Sequence, residues 1–98
     1  MMTIKALQEQ AKELAANFDG VTPERRVMFL LTEVGEVAEE VLNLTGAYGQ
    51  PDCDTVKRNL GLEMYDVIWN LCDLANMLGI DLEDAAQRKI AINRQREW

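Results

Sequence analysis

Apolar residues recur every three to four positions along most of the chain, and no stretch alternates with the two-residue period of a strand. Ile4, Leu7, Ala11, Leu14 and Phe18 fall at helix spacing in and just beyond the stretch Thr3 to Asn17, and Asp19-Gly20 ends that stretch. Thr22-Pro23-Glu24 opens a second helix, with Thr as cap, Pro at the first helical position and Glu at the positive end of the helix dipole. Its apolar stripe is Val27, Leu30, Val34, Val37, Val41 and Leu44, where the helix is expected to stop. Residues 45–53 (TGAYGQPDC) have no periodicity and read as a loop that could close over a site. Asp52 or Asp54 caps a third helix with Leu60, Met64, Val67, Ile68, Leu71, Leu74 and Leu78 as its stripe. Gly61 lowers its local propensity while permitting a close helix crossing, and Gly79 ends it. Asp81, with Asp84 three residues on, opens a last helix to about Arg94. Short connections favour antiparallel neighbours. The expected fold class is all-α: residues 1–98 as a single domain, a four-helix bundle-like protomer whose core is completed by dimerisation.

Acidic residues change this picture from a plain bundle to one with candidate chemistry. Glu33-x-x-Glu36-x-x-x-Glu40 on the second helix is matched by Glu63-x-x-Asp66-x-x-x-Asn70-x-x-Asp73 on the third. Positions i, i+3 and i+7 stay within roughly 60° of one another on a helix, so two antiparallel helices point these carboxylates at a common centre. Glu33, Glu36, Glu63 and Asp66 border the apolar face, where a carboxylate needs a partner. Carboxylate oxygens suit Mg²⁺, Mn²⁺ or Ca²⁺, and Mg²⁺ is commonly held by a few carboxylates, waters and substrate phosphates. The plainer alternative is a solvated acidic face on two amphipathic helices.

Composition narrows the partners. A net charge of −7 argues against a nucleic-acid duplex or an anionic membrane as partner, since either is gripped by patches of Lys and Arg. No apolar run approaches a membrane span, and the N-terminus lacks a signal-peptide layout, so a cytoplasmic protein is expected. Cys53 and Cys72 form no C-x-x-C and are expected as free thiols, Cys72 in the core and Cys53 in a loop. The absence of histidine removes the usual zinc sites and the Glu-x-x-His motifs of ferritin-like di-iron bundles.

The Glu-x-x-Glu of Leu31-Thr32-Glu33-Val34-Gly35-Glu36-Val37-Ala38-Glu39, followed after residues 37–62 by the Glu-x-x-Asp of Gly61-Leu62-Glu63-Met64-Tyr65-Asp66-Val67, resembles the signature of the MazG-like, all-α nucleoside triphosphate pyrophosphohydrolases. Residues 74–83 (LANMLGIDLE) resemble that family's turn into its last helix, and the tail Lys89-Ile90-Ala91-Ile92-Asn93-Arg94-Gln95-Arg96 is similar to its Lys-x-x-x-Asn-x-Arg ending. The resemblance covers most of residues 24–96. It implies Glu33, Glu36, Glu63 and Asp66 as metal ligands, and attack of water on an α-phosphate to leave a nucleoside monophosphate and pyrophosphate.

Glu36 or Glu40 is the candidate general base. Lys89, Arg94 and Arg96, with Lys57, Arg25 and Arg26 elsewhere, are candidates for gripping a phosphate tail, and Lys89 and Asn93 match family positions. Trp69 and Tyr65 are candidates for stacking on a base, and Asn70 or Asn76 for reading its edge; Asn76 follows the family pattern. The resulting expectation is a Mg²⁺-dependent hydrolase, with Mn²⁺ as the alternative metal. It would act on a nucleoside triphosphate as a homodimer or homotetramer. A phosphoribosyl-ATP pyrophosphohydrolase-like enzyme and a non-catalytic helical oligomerisation or regulatory module are the alternatives.

Overall fold

All four expected helices form, because each start carries its own capping group. In the computed structural model, which describes residues 1–46 and 52–97, they are α1 (Ile4–Ala15), α2 (Pro23–Leu44), α3 (Cys53–Met77) and α4 (Leu82–Arg94). No strand occurs among the described residues, and the chain is all-α. Thr3 Oγ1 accepts from Ala6 N–H and Thr22 Oγ1 from Arg25 N–H, at 3.0 and 3.2 Å. Asp52, rather than Asp54, caps α3: one carboxylate oxygen accepts from the Thr55 hydroxyl at 2.8 Å, which holds Asp52 below the usual carboxylate range. Asp81 accepts from Asp84 N–H at 3.0 Å to start α4. Gly79, at φ 69°, turns the chain out of α3, and Ile80 N–H closes back on Ala75 C=O at 2.8 Å. Residues 47–51, within the segment expected as a loop over the site, lie outside the described residues.

α2 and α3 pack side by side in opposite directions, α1 lies on α3, and α4 rests against α1. The junction of α1 with the α3–α4 turn is tied by Gln8. Its Nε2 donates to Asn76 Oδ1 and Ile80 C=O, both at 3.0 Å, and its Oε1 accepts from Leu82 N–H at 2.9 Å. The radius of gyration is 16.1 Å, against about 13 Å for a compact chain of this length.

That extension accompanies a small core. Among the described residues the buried apolar ones are Ala11, Leu60, Cys72 and Ala75. Each expected stripe splits into two rows of seven-residue spacing, apart from Ile68 of α3, which is exposed and belongs to neither. On α2, Leu30, Val37 and Leu44 are half-buried while Val27, Val34 and Val41 are exposed. On α3, Leu60 is buried and Val67 and Leu74 half-buried, while Met64, Leu71 and Leu78 are exposed. One row of each helix meets its neighbour and the other faces outward. Two expectations are corrected at this level. Gly61 has nothing within 4 Å of where a Cβ would stand, so it serves no close crossing within the protomer. Cys53 is the exposed first residue of α3 rather than a loop residue, whereas Cys72 is buried as expected and its burial pushes the thiol pKa up.

Candidate active site

The polar side chains that matter lie between α2 and α3 in two layers. Because the helices run antiparallel, Arg26 of α2 meets Asn70 and Asp73 of α3, and seven residues further along α2 Glu33 meets Glu63. Seven residues of helix separate the layers by about 10 Å.

In the acidic layer, one carboxylate oxygen from each of Glu33, Glu36 and Glu63 lies within 4.8 Å of the other two. Glu33 and Glu36 are one helical turn apart on α2, and Glu63 comes across from α3. Metal-free, three carboxylates at this range repel unless they share protons. Glu63 accordingly holds its proton up to about pH 7: a hydrogen bond to the Glu36 carboxylate is the largest cause, followed by desolvation and the charge of Glu36. Glu33 is also raised, first by burial and then by the charge of Glu36. The Oε2 atoms of Glu33 and Glu63 are buried without a hydrogen-bond partner. Buried oxygen acceptors that lack donors, in a set containing only carboxylates, fit a hard divalent cation. Asp66 stands outside this trio, but its charge raises both Glu33 and Glu63. Glu40, a turn beyond Glu36, is half-buried and also outside the trio.

The second layer is neutralised internally. Arg26 is 7% exposed and Asp73 2%. Arg26 Nε lies 2.7 Å from Asp73 Oδ2, and its Nη1 donates to Asn70 Oδ1 at 3.0 Å. Asn70 Nδ2 donates in turn to the Asp66 backbone carbonyl at 2.7 Å. The guanidinium carbon stands 4.8 Å from the centre of the Trp69 ring and 5.5 Å from that of Phe29, within cation–π range of both. Arg26 is therefore not the free phosphate-gripping cation its sequence position suggested, because Asp73 already takes its charge. Nothing in the apolar pattern foretold this pair. The available signal was the polar row Arg26, Glu33 and Glu40, seven residues apart on a helix whose neighbouring rows are apolar.

A cleft of about 510 Å³ joins the two layers. Glu33 and Asp66 border it on the acidic side; Arg26, Phe29, Trp69 and Asn70 line it in the other layer, and Leu14, Phe18, Val21 and Tyr65 complete the wall. Its size and its mixture of aromatic walls with a few polar groups suit a small ligand. Trp69 and Tyr65 both line this cleft. Asn76 is elsewhere: its Oδ1 accepts from Gln8 Nε2 at 3.0 Å and its Nδ2 donates to Gln8 C=O at 2.9 Å. Lys89 and Arg94 are exposed on α4, outside the cleft lining, and Asn93 is half-buried with Oδ1 lacking a hydrogen-bond partner. No helix among the described residues is long and apolar enough to cross a membrane.

The geometry is that of an all-α protein with carboxylates facing one another across two antiparallel helices, and comparison of the sequence identifies the family. Residues 21–97 match the MazG nucleotide pyrophosphohydrolase domain, and the chain belongs to that family. It is 32% identical over 94 residues to the dATP/dGTP diphosphohydrolase of Cyanophage S-2L, covering 92% of this chain and 75% of that protein. No solved structure matches it. A nucleoside triphosphate pyrophosphohydrolase activity is thereby supported.

Proposed function

We propose that this protein hydrolyses the α–β phosphoanhydride of a (deoxy)nucleoside triphosphate to the monophosphate and pyrophosphate, with Mg²⁺ as cofactor and Mn²⁺ as a possible substitute. The observation that carries this reading is the Glu33, Glu36 and Glu63 trio, within 4.8 Å and with buried oxygens left without donors. These three and Asp66 would hold the metal. When bound, Mg²⁺ offsets phosphate charge and acidifies the attacking water. A carboxylate oxygen of Glu36, or of Glu40 one turn on, takes that water's proton.

The nucleoside occupies the cleft, with Trp69 as its stacking wall. A triphosphate carries about four negative charges near neutral pH, whereas among the described residues Arg26 is the one cation lining the cleft and is already paired. The exposed apolar rows on α2 and α3 support a homodimer or homotetramer, and in that assembly Lys89, Asn93 and Arg94 reach the phosphate tail bound to a second copy. A nucleotide substrate and a homo-oligomer are thus the partners of this reading.

The direct test is pyrophosphate release from ribo- and deoxynucleoside triphosphates with Mg²⁺, Mn²⁺ or EDTA, beside Glu63→Gln. Metal-dependent release should fall at least about 100-fold in the variant while helicity is unchanged. Orthophosphate release instead, or full activity in a folded Glu63→Gln protein, rejects the assignment. If α4 serves a second copy, inactive Glu63→Gln and Lys89→Gln chains should regain part of the activity when refolded together; continued inactivity of the mixed oligomer places Lys89 in its own subunit's site.

A further inference from the structure

The paired charge of Arg26 makes it a poor phosphate ligand and a good reader of a neutral edge. A guanidinium has five N–H donors in a fixed planar fork; one, on Nη1, is hydrogen-bonded to Asn70, and Nε is held beside Asp73 as an ion pair, so the fork keeps donors for a ligand. The side chain lines the cleft although 7% of it is exposed. Phe29 and Trp69 lie against it, so its position is fixed on several sides and little ordering cost remains for a ligand to meet. Lining the same cleft, Glu33 and Asp66 face the opposite layer, about 10 Å along the helix axes. That separation orients a nucleotide. Its phosphates belong with the carboxylates and their cation, and its base belongs in the aromatic layer with Arg26.

We propose that Arg26 is a specificity-determining residue that reads the base of the bound nucleotide, favouring an edge with two adjacent acceptors. Guanine offers such an edge in O6 and N7, the pairing to which a guanidinium fork is matched. Adenine puts an amino donor in place of O6, which would set donor against donor and leave buried N–H groups without acceptors. Asp73 supports the discrimination by neutralising the fork, so that hydrogen-bond pattern rather than charge decides what binds.

This inference rests on the proposed nucleotide hydrolysis, and the test separates the two. kcat/KM is measured for the wild-type protein with Mg²⁺ on dGTP, dITP, 7-deaza-dGTP and dATP. dITP keeps O6 and N7 and should match dGTP within a few fold, whereas 7-deaza-dGTP, which lacks N7, and dATP should fall by about tenfold or more. Arg26→Lys keeps a charge for Asp73 but loses the fork, and should bring dGTP down towards dATP, with thermal melting to confirm that it folds. Equal rates on dGTP and dATP, or an unchanged ratio in a folded Arg26→Lys protein, overturn the role of Arg26 and leave the hydrolase reading standing. Failure to turn over any of the four sinks both. If Arg26→Lys does not fold, the wild-type analogue series decides by itself.

Discussion

Two polar clusters sit two helical turns apart between the same pair of helices, and they meet burial in opposite ways. Arg26 and Asp73 cancel each other's charge: a guanidinium Nε lies 2.7 Å from a carboxylate oxygen, as an ion pair without the alignment of a hydrogen bond, while Nη1 donates to the Asn70 amide at 3.0 Å and Asn70 passes the chain on to a backbone carbonyl. Glu33, Glu36 and Glu63 have no such cancellation, since three acceptors of like charge lie within 4.8 Å and two of their oxygens have no donor. The first arrangement is neutral in charge within the chain. The second gains its missing positive charge only from outside, either as protons or as a metal. The presence or absence of an internal counter-charge, rather than polarity as such, separates a cluster that holds the helices together from one built to bind.

The largest test of that contrast removes one side of the complete cluster. Arg26→Met leaves Asp73 buried and unpaired, which should cost about 3–5 kcal/mol and bring a domain of ordinary stability close to unfolding. Replacing both partners, Arg26→Met with Asp73→Leu, removes the stranded charge and should recover most of the loss. Urea unfolding of the two single variants and the double variant measures this. A single variant as stable as the double one would show that the pair is not the internally compensated unit described above. Glu63→Gln, by contrast, should cost metal-free stability nothing, because it deletes a repelling charge.

This contrast also shows how far the sequence could be read. The helices were legible because Thr3, Thr22, Asp52 and Asp81 each place a side-chain acceptor at a helix start, and because Gly79 supplies the positive φ that ends α3. The acidic residues were legible because Glu33-x-x-Glu36 and Glu63-x-x-Asp66 are each local to one helix and the family resemblance joined the two pairs, although Asp66 stands outside the trio that forms. The Arg26–Asp73 pair was not, since it joins residues from two helices at a register that depends on how α2 and α3 slide past one another. Periodicity could not separate the inward row Leu30, Val37 and Leu44 from the outward row Val27, Val34 and Val41, because both have the same spacing and the same chemistry. Only the packed helices distinguish a row that meets its own chain from one left facing outward.

A smaller effect sharpens the acidic side of the comparison. In the metal-free fold Glu63 keeps its proton up to about pH 7, against 4.5 for an unperturbed glutamate, so the folded state binds more protons than the unfolded state between those values. The associated stability is fully present below about 4.5 and is lost as pH rises through about 7. In EDTA, the melting temperature should therefore fall between about pH 5 and pH 8. Mg²⁺ competes with those protons, so its stabilisation should be larger at the higher pH, reaching about 2.7 kcal/mol at a hundredfold excess over Kd. Glu63→Gln should flatten the pH dependence and weaken the response to Mg²⁺. A melting temperature indifferent to both pH and Mg²⁺ would return the three glutamates to an ordinary solvated face.

The smallest effect concerns Asn76, whose place in the family pattern suggests contact with a base and whose hydrogen bonds suggest a tether. Its amide gives one donor to the Gln8 carbonyl and one acceptor to Gln8 Nε2, and the same Gln8 side chain holds Ile80 C=O and Leu82 N–H. Asn76→Ala removes two part-buried hydrogen bonds and should cost about 1–2 kcal/mol, and Gln8→Ala, which removes three, somewhat more. The two losses should be strongly non-additive in the double variant, because they share a bond. A tether predicts that KM for each nucleotide stays put while the melting temperature drops. A base reader predicts the reverse: a KM that rises for some bases and not others, without the coupling to Gln8. The separation is informative because Arg26 and Asn76 are both polar groups on the helices that build the cleft, yet only Arg26 lines it while Asn76 is turned towards α1. A base-selective change in KM for Asn76→Ala would mean that the cleft extends to the α1–α3 junction when a nucleotide binds, with Gln8 exchanging its protein partners for the ligand.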